Sequence, residues 1–547
     1  GRDTEPKRAA ITGMTAIAVG QTVGMGALTG TFVRWRLLAG LGLGDATRIS
    51  AIVTVSFFAA WAVVTALTVL TFGATLPHSA LLAGLVLAAA LALALLSLWR
   101  PGRLARWPLP PLKAMGLVLG FTAIDTLAAG GVLWVMLPDG VQVAPGTLIT
   151  AYLLALGAGL VLTTPGGVGP FEVALLALLP TVPDESLLAA VLAYRAIYYA
   201  VPALIGGLVL LRRPDSAPAP EPARAALAPV DPDHLPLVVE AALATAPRAE
   251  AALLRHGRFQ ILANARLWPA ALVARSGQSL IMLGDPLTPD RRADDVVSDL
   301  ADRARATLTS PVIYKCGARL AVLARKKGWA LLPVAREGWV DPGGFTTDGP
   351  ARRQLRRKLR KAEAAGITVS AIAPGDPVPI PFDEMDALAA RWSAARGGER
   401  GFSMGVWSPA TMRNAAIYLA RDGAGRMQGF VTVHANRREH TLDLMRQGED
   451  AVDGLMHLLV THAIKGAAVA GVPRFSLAAV PNGDIAGEPA LFTRLRALLD
   501  HATGAAGLRQ FKSAFAPDWE TLYLAAPTRT ALALGALDIT REILRDA

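Results

Sequence analysis

With 547 residues, 53% of them hydrophobic and only 18% charged, the chain is no single soluble domain; more than one domain is expected, and at least one sits in lipid. The formal net charge of +11 points to phosphate partners, either nucleic acid or anionic lipid. The lone cysteine, Cys316, excludes a disulfide framework and any multi-cysteine zinc site.

The opening residues are charged and lack a signal-peptide shape, and the first is Gly1 rather than methionine, so a processed or truncated start is expected. From Ala9 to Leu211 apolar segments alternate with short loops. Spans are expected over residues 9–30, 49–72, 79–98, 112–137, 147–163 and 188–211, each near the length that crosses ~30 Å of hydrocarbon. A shorter apolar piece, 170–181, follows a Pro/Gly break at 163–170 and reads as a re-entrant half or short crossing. Irregular backbone at membrane depth is tolerated where it is buried in protein or lines a wet cavity, so the break suggests a transport path; an ordinary interfacial loop fits equally.

Basic residues cluster in alternate loops: Arg34, Arg36 and Arg48; Arg100, Arg103, Arg106 and Lys113; then Arg212 and Arg213. The positive-inside rule makes these loops cytoplasmic, with everything after Leu211, and places Gly1 outside, which suggests missing upstream spans. Glu172 and Arg195 lie at membrane depth, where charges are paired or functional.

Residues 213–230, rich in Pro and Ala, read as a solvated linker. It separates a membrane domain, 1–212, from a soluble α/β part built as two successive units, 231–340 and 341–547. In the first unit a helix over 236–255 precedes strands near 259–261, 271–274 and 279–283, a helix near 291–307 and strands near 312–314 and 331–335. The second opens on a helix in which seven of the ten residues from Arg352 to Lys361 are basic, with Leu355 and Leu359 forming a narrow apolar stripe. That helix is a solvated charged face or a polyanion contact, the latter through Arg353, Arg356, Arg357 and Arg360. A hairpin over 425–446, a helix over 452–470, a strand at 475–479, a helix near 489–502 and a strand near 521–525 follow.

Asp443 stands on an apolar strand where a carboxylate breaks the pattern, so it is expected to meet a cation: a substrate ammonium, or Arg446 as an ion pair. Arg446 suits a phosphate oxygen. Residues three apart on a regular strand face opposite sides, so a bulge or strand end is needed for both to serve one site. Lys512, between aromatics, is a candidate for phosphate or oxyanion. His434 and His457 are conceivable general bases, each in an apolar pattern that a structural histidine also fits. The sequence has no His-Glu-x-x-His metal pair, no Gly-x-Ser-x-Gly elbow around Ser403 and no clear acetyl-CoA pyrophosphate loop.

Several motifs, in order along the chain, resemble the bacterial multiple peptide resistance factors, the phosphatidylglycerol aminoacyltransferase-flippases. In the membrane half they are Val23 to Gly30 with Val33-Arg34-Trp35-Arg36, Pro165 to Glu172, and Tyr194 to Tyr199. In the soluble half they are Leu283-Gly284-Asp285-Pro286, Phe402-Ser403-Met404-Gly405, Asp443-Leu444-Met445-Arg446, and Phe511 to Glu520. The resemblance implies a polytopic α-helical membrane domain plus a cytoplasmic tandem acetyltransferase-like (GNAT) domain. It implies transfer of lysine or alanine from aminoacyl-tRNA to phosphatidylglycerol without a cofactor, then movement of the product to the outer leaflet of the bacterial inner membrane, which gives resistance to cationic peptides. It adds Phe402, Ser403 and Trp519 to the substrate-binding residues and places Arg34, Arg36, Pro165, Gly166, Gly167, Glu172 and Arg195 on a lipid pathway. Homo-oligomers are a further expectation. Two alternatives stay open: a lipid flippase with a regulatory soluble domain, and an aminoacyltransferase for peptidoglycan precursor.

Overall fold

The computed structural model describes the chain apart from residues 1–5, 39, 75, 100–108, 163, 165–166, 212–224, 265–267, 289–292, 397, 483–492, 495–496, 498–504 and 546–547. Two compact units result, Gly1–Glu221 and Pro222–Ala547.

The described part of the first unit is helical: α1 (Pro6–Val23), α2 (Gly26–Leu37), α3 (Leu43–Phe72), α4 (Ser79–Trp99), α5 (Leu112–Val135), α6 (Pro145–Val161), α7 (Pro170–Leu178), α8 (Asp184–Arg195) and α9 (Val201–Leu211). A π turn, Ala196–Ala200, joins α8 to α9. The stretches Leu43–Phe72, Ser79–Trp99, Leu112–Val135 and Asp184–Leu211 are long and apolar enough to cross a membrane. Leu81, Leu82 and Leu85 point outward, while Thr65, Thr126, Thr150, Tyr152 and Tyr194 are buried. Thr65, Thr126 and Thr150 donate to carbonyls one turn back, which satisfies their hydroxyls where water is scarce. The span expected over 9–30 is instead two helices. Gly24 (φ 86°) and Met25 (φ 45°) adopt left-handed backbone between them, and at Gly20 a Cβ would stand 3.2 Å from Thr29 Oγ1, so a side chain there would crowd α2. The expected piece at 170–181 is α7, whose 9 residues are too few to cross.

The second unit is built on one twelve-stranded sheet. Its strands are β1 (Ala225–Ala228), β2 (Gln260–Asn264), β3 (Pro269–Ser276), β4 (Ser279–Leu283), β5 (Ser310–Cys316), β6 (Ala330–Val340), β7 (Thr368–Ile372), β8 (Ala415–Arg421), β9 (Met427–Ala435), β10 (His440–Gln447), β11 (Phe475–Pro481) and β12 (Asp518–Ala526). The spatial order is β1-β2-β3-β4-β5-β12-β6-β11-β10-β9-β8-β7. An antiparallel run ends in a parallel pair twice over, β4 with β5 and β10 with β11, each crossing through a helix, α11 (Ala293–Ala306) or α16 (Leu455–Val469). This is the tandem acetyltransferase-like architecture. The last strands are exchanged: β6 pairs with β11 of the later half, and β12 pairs with β5 of the earlier one. The two halves therefore share a sheet and are not merely successive. Both exchange points carry a register shift beside a left-handed residue, Lys315 (φ 60°) in β5 and Ala478 (φ 62°) in β11.

Helices cover both faces. Leu355, Leu359 and Ala362 of α13 (Arg353–Ala364) pack with α16 on Val431, Val433 and Leu442. On the other face Met385, Leu388 and Ala389 of α14 (Phe382–Ala395) pack on Phe430 and Leu444. The helix expected over 236–255 breaks at Ala246-Pro247 into α10 (Leu237–Thr245) and a 3-10 segment, Ala249–His256, because proline lacks the amide the next turn needs. Of the 213–230 segment, residues 213–224 lie outside the described residues, and Ala225–Ala228 form edge strand β1. The helix expected near 489–502 falls almost wholly outside the described residues. The sequence reading stops at the last strand and misses a final helix, Arg529–Leu544.

Two strands meet where like charges face each other: Glu337 of β6 pairs in register with Glu520 of β12. Arg248 and Arg474 separate them. Arg248 reaches Glu337 at 2.6 Å, Glu520 at 2.7 Å and Glu439 at 3.3 Å. Arg474 reaches Glu439 at 2.8 Å, Glu520 at 2.8 Å and Glu337 at 3.2 Å.

The final helix is clamped to the β3–β4 turn by buried Asp538, which accepts from Gln278 N (2.9 Å) and Ser279 Oγ (2.8 Å). Asp538→Ala strands both donors and is expected to destabilise the protein by about 2–4 kcal/mol in chemical denaturation. Unchanged stability would show that the clamp carries no load.

Candidate active site

Strand β10 slips against β9 at one place. Leu442 pairs with Val433 and Met445 with Val431, so Asp443 and Leu444 together oppose Thr432. Of the two irregularities that would bring residues three apart to one face, a bulge or a strand end, the strand has the bulge. Thr432 Oγ1 pins it, donating to Asp443 Oδ2 (3.0 Å) and accepting from Leu444 N (3.0 Å). After the bulge Asp443 reaches Thr432 and His434, and Arg446 lies over Trp392 of α14, so both occupy the α14 face while Leu442 and Met445 pack on the other.

Asp443 and Arg446 do not pair directly as an ion pair. Asp443 Oδ1 lies 3.3 Å from His434 Nε2. Burial pushes the Asp443 carboxyl up, but His434 and the hydrogen bond from Thr432 hold it below its ordinary value. Burial opposes a charge on His434 as well, yet Asp443 raises its pKa. The His256 ring packs 6.4 Å away, and burial keeps its pKa low. With both oxygens of Asp443 engaged, a substrate ammonium would have to displace His434. Gly405 opens the room: a Cβ there would overlap the Asp443 carboxylate.

Arg446 Nη2 donates to Glu399 at 2.8 Å, and its Cζ stands 3.8 Å from the Trp392 ring centre. Its Nε is buried with no hydrogen-bond partner among the described residues. The result is a fixed guanidinium with a donor left over, suited to an anionic oxygen. Glu399, Trp392 and Thr432 were missed at the sequence level, since nothing local distinguishes them from surface or strand residues.

Lys512, on the helix Ala505–Ser513, is fully buried, and its Nζ donates to the carbonyls of Ala478 (2.9 Å) and Ala479 (3.2 Å) at the β11 bulge. Burial, with Lys315 nearby, pulls its pKa down to about 7. Phe402 (φ 63°) packs on Phe259 and Tyr314, and Ser403 O accepts from Lys315 Nζ at 3.1 Å. Trp519 stacks with Arg336 at 5.4 Å in the sheet centre, and no contact among the described residues joins it to Asp443. His457 stacks on Phe511 and Phe515 in the opposite core, and burial lowers its pKa to about 4. A structural role accounts for it.

The basic helix α13 lies on the sheet face away from Asp443 and Arg446. Leucine spacing fixes which side of the helix is buried, and the fold decides which sheet face receives it. Its start is tied to the Lys512 side, since Arg352 Nε donates to Phe515 O (3.3 Å). Arg356 is turned back onto the carbonyls of Thr347 and Gly349 (both 2.7 Å). Lys358 and Lys361 share Asp453. Arg353, Arg357 and Arg360 are exposed, with no ion pair among the described residues.

In the membrane-spanning unit Arg195 Nη2 meets Glu172 Oε1 at 2.6 Å, and Glu172 Oε2 accepts from Gly169 N at 2.8 Å. Gly167 (φ 71°) abuts Gly159. Arg34 is buried and donates to Ser50 Oγ (2.8 Å), whereas Arg36 is exposed. Pro165 and Gly166 lie outside the described residues.

Residues 246–526 match the family model described as phosphatidylglycerol lysyltransferase, C-terminal. The chain belongs to this family. The phosphatidylglycerol lysyltransferase of Bacillus subtilis is 25% identical over 281 residues, covering 50% of this chain and 32% of that protein. The chain thus spans about a third of that relative's length. An uncharacterized protein of Synechocystis is 30% identical over 217 residues, 37% of this chain and 67% of that one. The L-PGS structure from Bacillus licheniformis shares the fold of the soluble unit, with a TM-score of 0.52 and 24% identity over 58% of this chain and 98% of that one. So does the C-terminal domain of a putative lysylphosphatidylglycerol synthetase from Agrobacterium fabrum, at TM-score 0.51 and 24% identity over 57% of this chain and 98% of that one. The family match contains Asp443, Arg446 and Lys512 together with the bulged strands that hold them.

The Asp443–His434 contact has a defined pH signature. The raised His434 pKa adds stability below the unfolded value of about 6.5, and this is lost as pH rises through the folded pKa. The depressed Asp443 pKa adds stability above about 3.9, lost as pH falls through its folded value. His434→Gln is therefore expected to cost more stability, relative to wild type, near pH 5.5 than near pH 9. A difference independent of pH would refute the charged contact.

Proposed function

We propose that the chain transfers an aminoacyl group, lysyl by preference over alanyl, from aminoacyl-tRNA to phosphatidylglycerol at the cytoplasmic face of the bacterial inner membrane. The membrane-spanning half then carries the product to the outer leaflet, which lowers negative surface charge and protects against cationic peptides. The observation that carries this reading is the β10 bulge, which sets Asp443 and Arg446 on one sheet face within the segment matched to the family.

In the reaction a glycerol hydroxyl of the lipid attacks the aminoacyl carbonyl carbon. A new ester bond forms, the bond to the ribose oxygen breaks, and the hydroxyl proton ends on that oxygen. One ester replaces another, so no cofactor is needed; the site must align two substrates and stabilise the oxyanion. His434, oriented by Asp443, carries the proton. Arg446, fixed by Glu399 and Trp392, holds the lipid phosphate through the donor it has left. Lys512, with a pKa near neutrality, lies by the β11 bulge carbonyls, where it stabilises developing negative charge. The exposed Arg353, Arg357 and Arg360 of α13 meet tRNA phosphates, which makes the donor's apparent affinity fall with salt.

The test incubates the purified full chain with lysyl-tRNA or alanyl-tRNA and phosphatidylglycerol vesicles, reading aminoacylated lipid by mass spectrometry. Arg446→Ala is expected to lower transfer about 10²–10³-fold with the fold retained. No lipid product with any donor, or full activity in Arg446→Ala, would overturn the assignment.

A further inference from the structure

Two imidazoles meet beside Asp443, one from each half of the soluble unit. His434 belongs to β9, and His256 closes the 3-10 segment Ala249–His256 that packs on β9 and β10. That segment is anchored along its length: Ala249 N donates to Glu439 Oε1 (3.0 Å), Glu250 meets Lys315 at 2.6 Å, and Arg255 meets Glu240 at 2.6 Å. Gly257 (φ 72°) then turns the chain away, so the His256 ring is placed by an anchored backbone. The ring stands edge to face with His434, their centroids 6.4 Å apart and their planes at 81°. His434 Nε2 lies 3.3 Å from Asp443 Oδ1, whereas His256 Nε2 is buried with no hydrogen-bond partner among the described residues. A histidine kept only for packing has its buried nitrogens paired; this one is left to be satisfied by a substrate group.

The two rings stand in opposite electrostatic settings. Burial opposes a proton on His434, but Asp443 and Glu250 outweigh it together with Arg255, and its pKa is raised. Burial prevails at His256, where Asp443 and Glu399 are countered by His434 and Arg258, and its pKa is lowered. Arg258 lies against the loop before Phe402, where a Cβ at Gly401 would meet its Nη1 at 2.6 Å. Near neutral pH one ring therefore keeps a proton to give, and the other a lone pair to receive one. Neighbouring titratable groups pushed apart in this way divide acid from base.

We propose that His256 is the general base of the transfer and His434 its general acid. Resting on the transfer reading above, the assignment divides between two rings the proton movement given there to His434. The lipid hydroxyl passes its proton to His256 Nε2 as its oxygen bonds to the aminoacyl carbonyl carbon. His434, oriented through Nε2 by Asp443, gives the proton of Nδ1 to the ribose oxygen as that ester bond breaks. Solvent then takes the proton from His256 and returns one to His434, so the proton count is unchanged over the turnover.

The test follows single-turnover transfer from lysyl-tRNA to phosphatidylglycerol vesicles by the purified full chain, from about pH 5 to about pH 8. The wild-type rate constant is expected to fall as pH drops below about 6.5, where His256 takes up a proton. His256→Gln is expected to slow transfer about 10²–10⁴-fold and to lose that acid limb. His256→Ala is expected to recover with added imidazole in proportion to its free base, a response that packing alone does not produce. A wild-type rate constant that stays flat below about pH 6.5, an acid limb retained in His256→Gln, or a His256→Ala rate that imidazole leaves unchanged overturns the assignment. The wild-type profile decides the matter if a variant fails to fold. No lipid product from wild type with any donor sinks the transfer reading and this assignment together, whereas transfer by His256→Gln at the wild-type rate sinks the assignment alone.

Discussion

Two glutamates face each other across the centre of the soluble unit, Glu337 on β6 and Glu520 on β12, and the pairing of those strands depends on what separates them. Like charges directly opposite on a ladder repel. Arg248 and Arg474 turn the repulsion into a knot by each bridging the same three carboxylates, with Glu439 the third. Glu337 is also held by Ser476 Oγ at 2.6 Å and Glu439 by Thr441 Oγ1 at 2.8 Å, so the remaining lone pairs are occupied, the condition under which a buried ionic group is tolerated. The five charges come from segments far apart in sequence, and they lie where each half lends its last strand to the other.

The site hangs from this seam. Glu439 stands one residue before β10 and Arg474 one residue before β11, so fixing the knot fixes where both parallel strands begin. Each strand then departs from regular pairing, β10 at Asp443 and β11 at Ala478. The first bulge turns Asp443 and Arg446 to a common face; the second presents the carbonyls that Lys512 binds. A bulge is a local irregularity, but its position relative to other strands is set by the sheet around it. Functional geometry here is thus a consequence of register.

What could be read from the residues was whatever breaks a local pattern. Asp443 in an apolar strand marked itself, and its spacing from Arg446 called for a bulge or a strand end if both were to serve one site. The long apolar stretches, the alternation of strands and helices and the basic helix were legible by periodicity. Strand exchange was not, because β6 and β12 have ordinary strand sequences and pairing partners are chosen by the whole chain. The partners of the site residues were hidden for the same reason: His434 was visible as a candidate only, and Glu399 and Trp392 become significant once α14 lies across β10. The charge of α13 suggested a polyanion contact but not which sheet face the helix covers; its leucines pack on the face opposite Asp443. The break at Gly24-Met25 was hidden by hydropathy, which continues smoothly through a turn that only the backbone angles disclose.

The central claim is that the charged knot, by holding the exchanged strands, maintains the bulged strand that carries the site. Amide hydrogen exchange on the full-length protein with Arg474→Met tests it most directly. Protection should fall together on β6, β12 and β10 around Leu444, although position 474 lies on none of these strands. Loss confined to the neighbourhood of residue 474, with β10 protected as in wild type, would contradict the account.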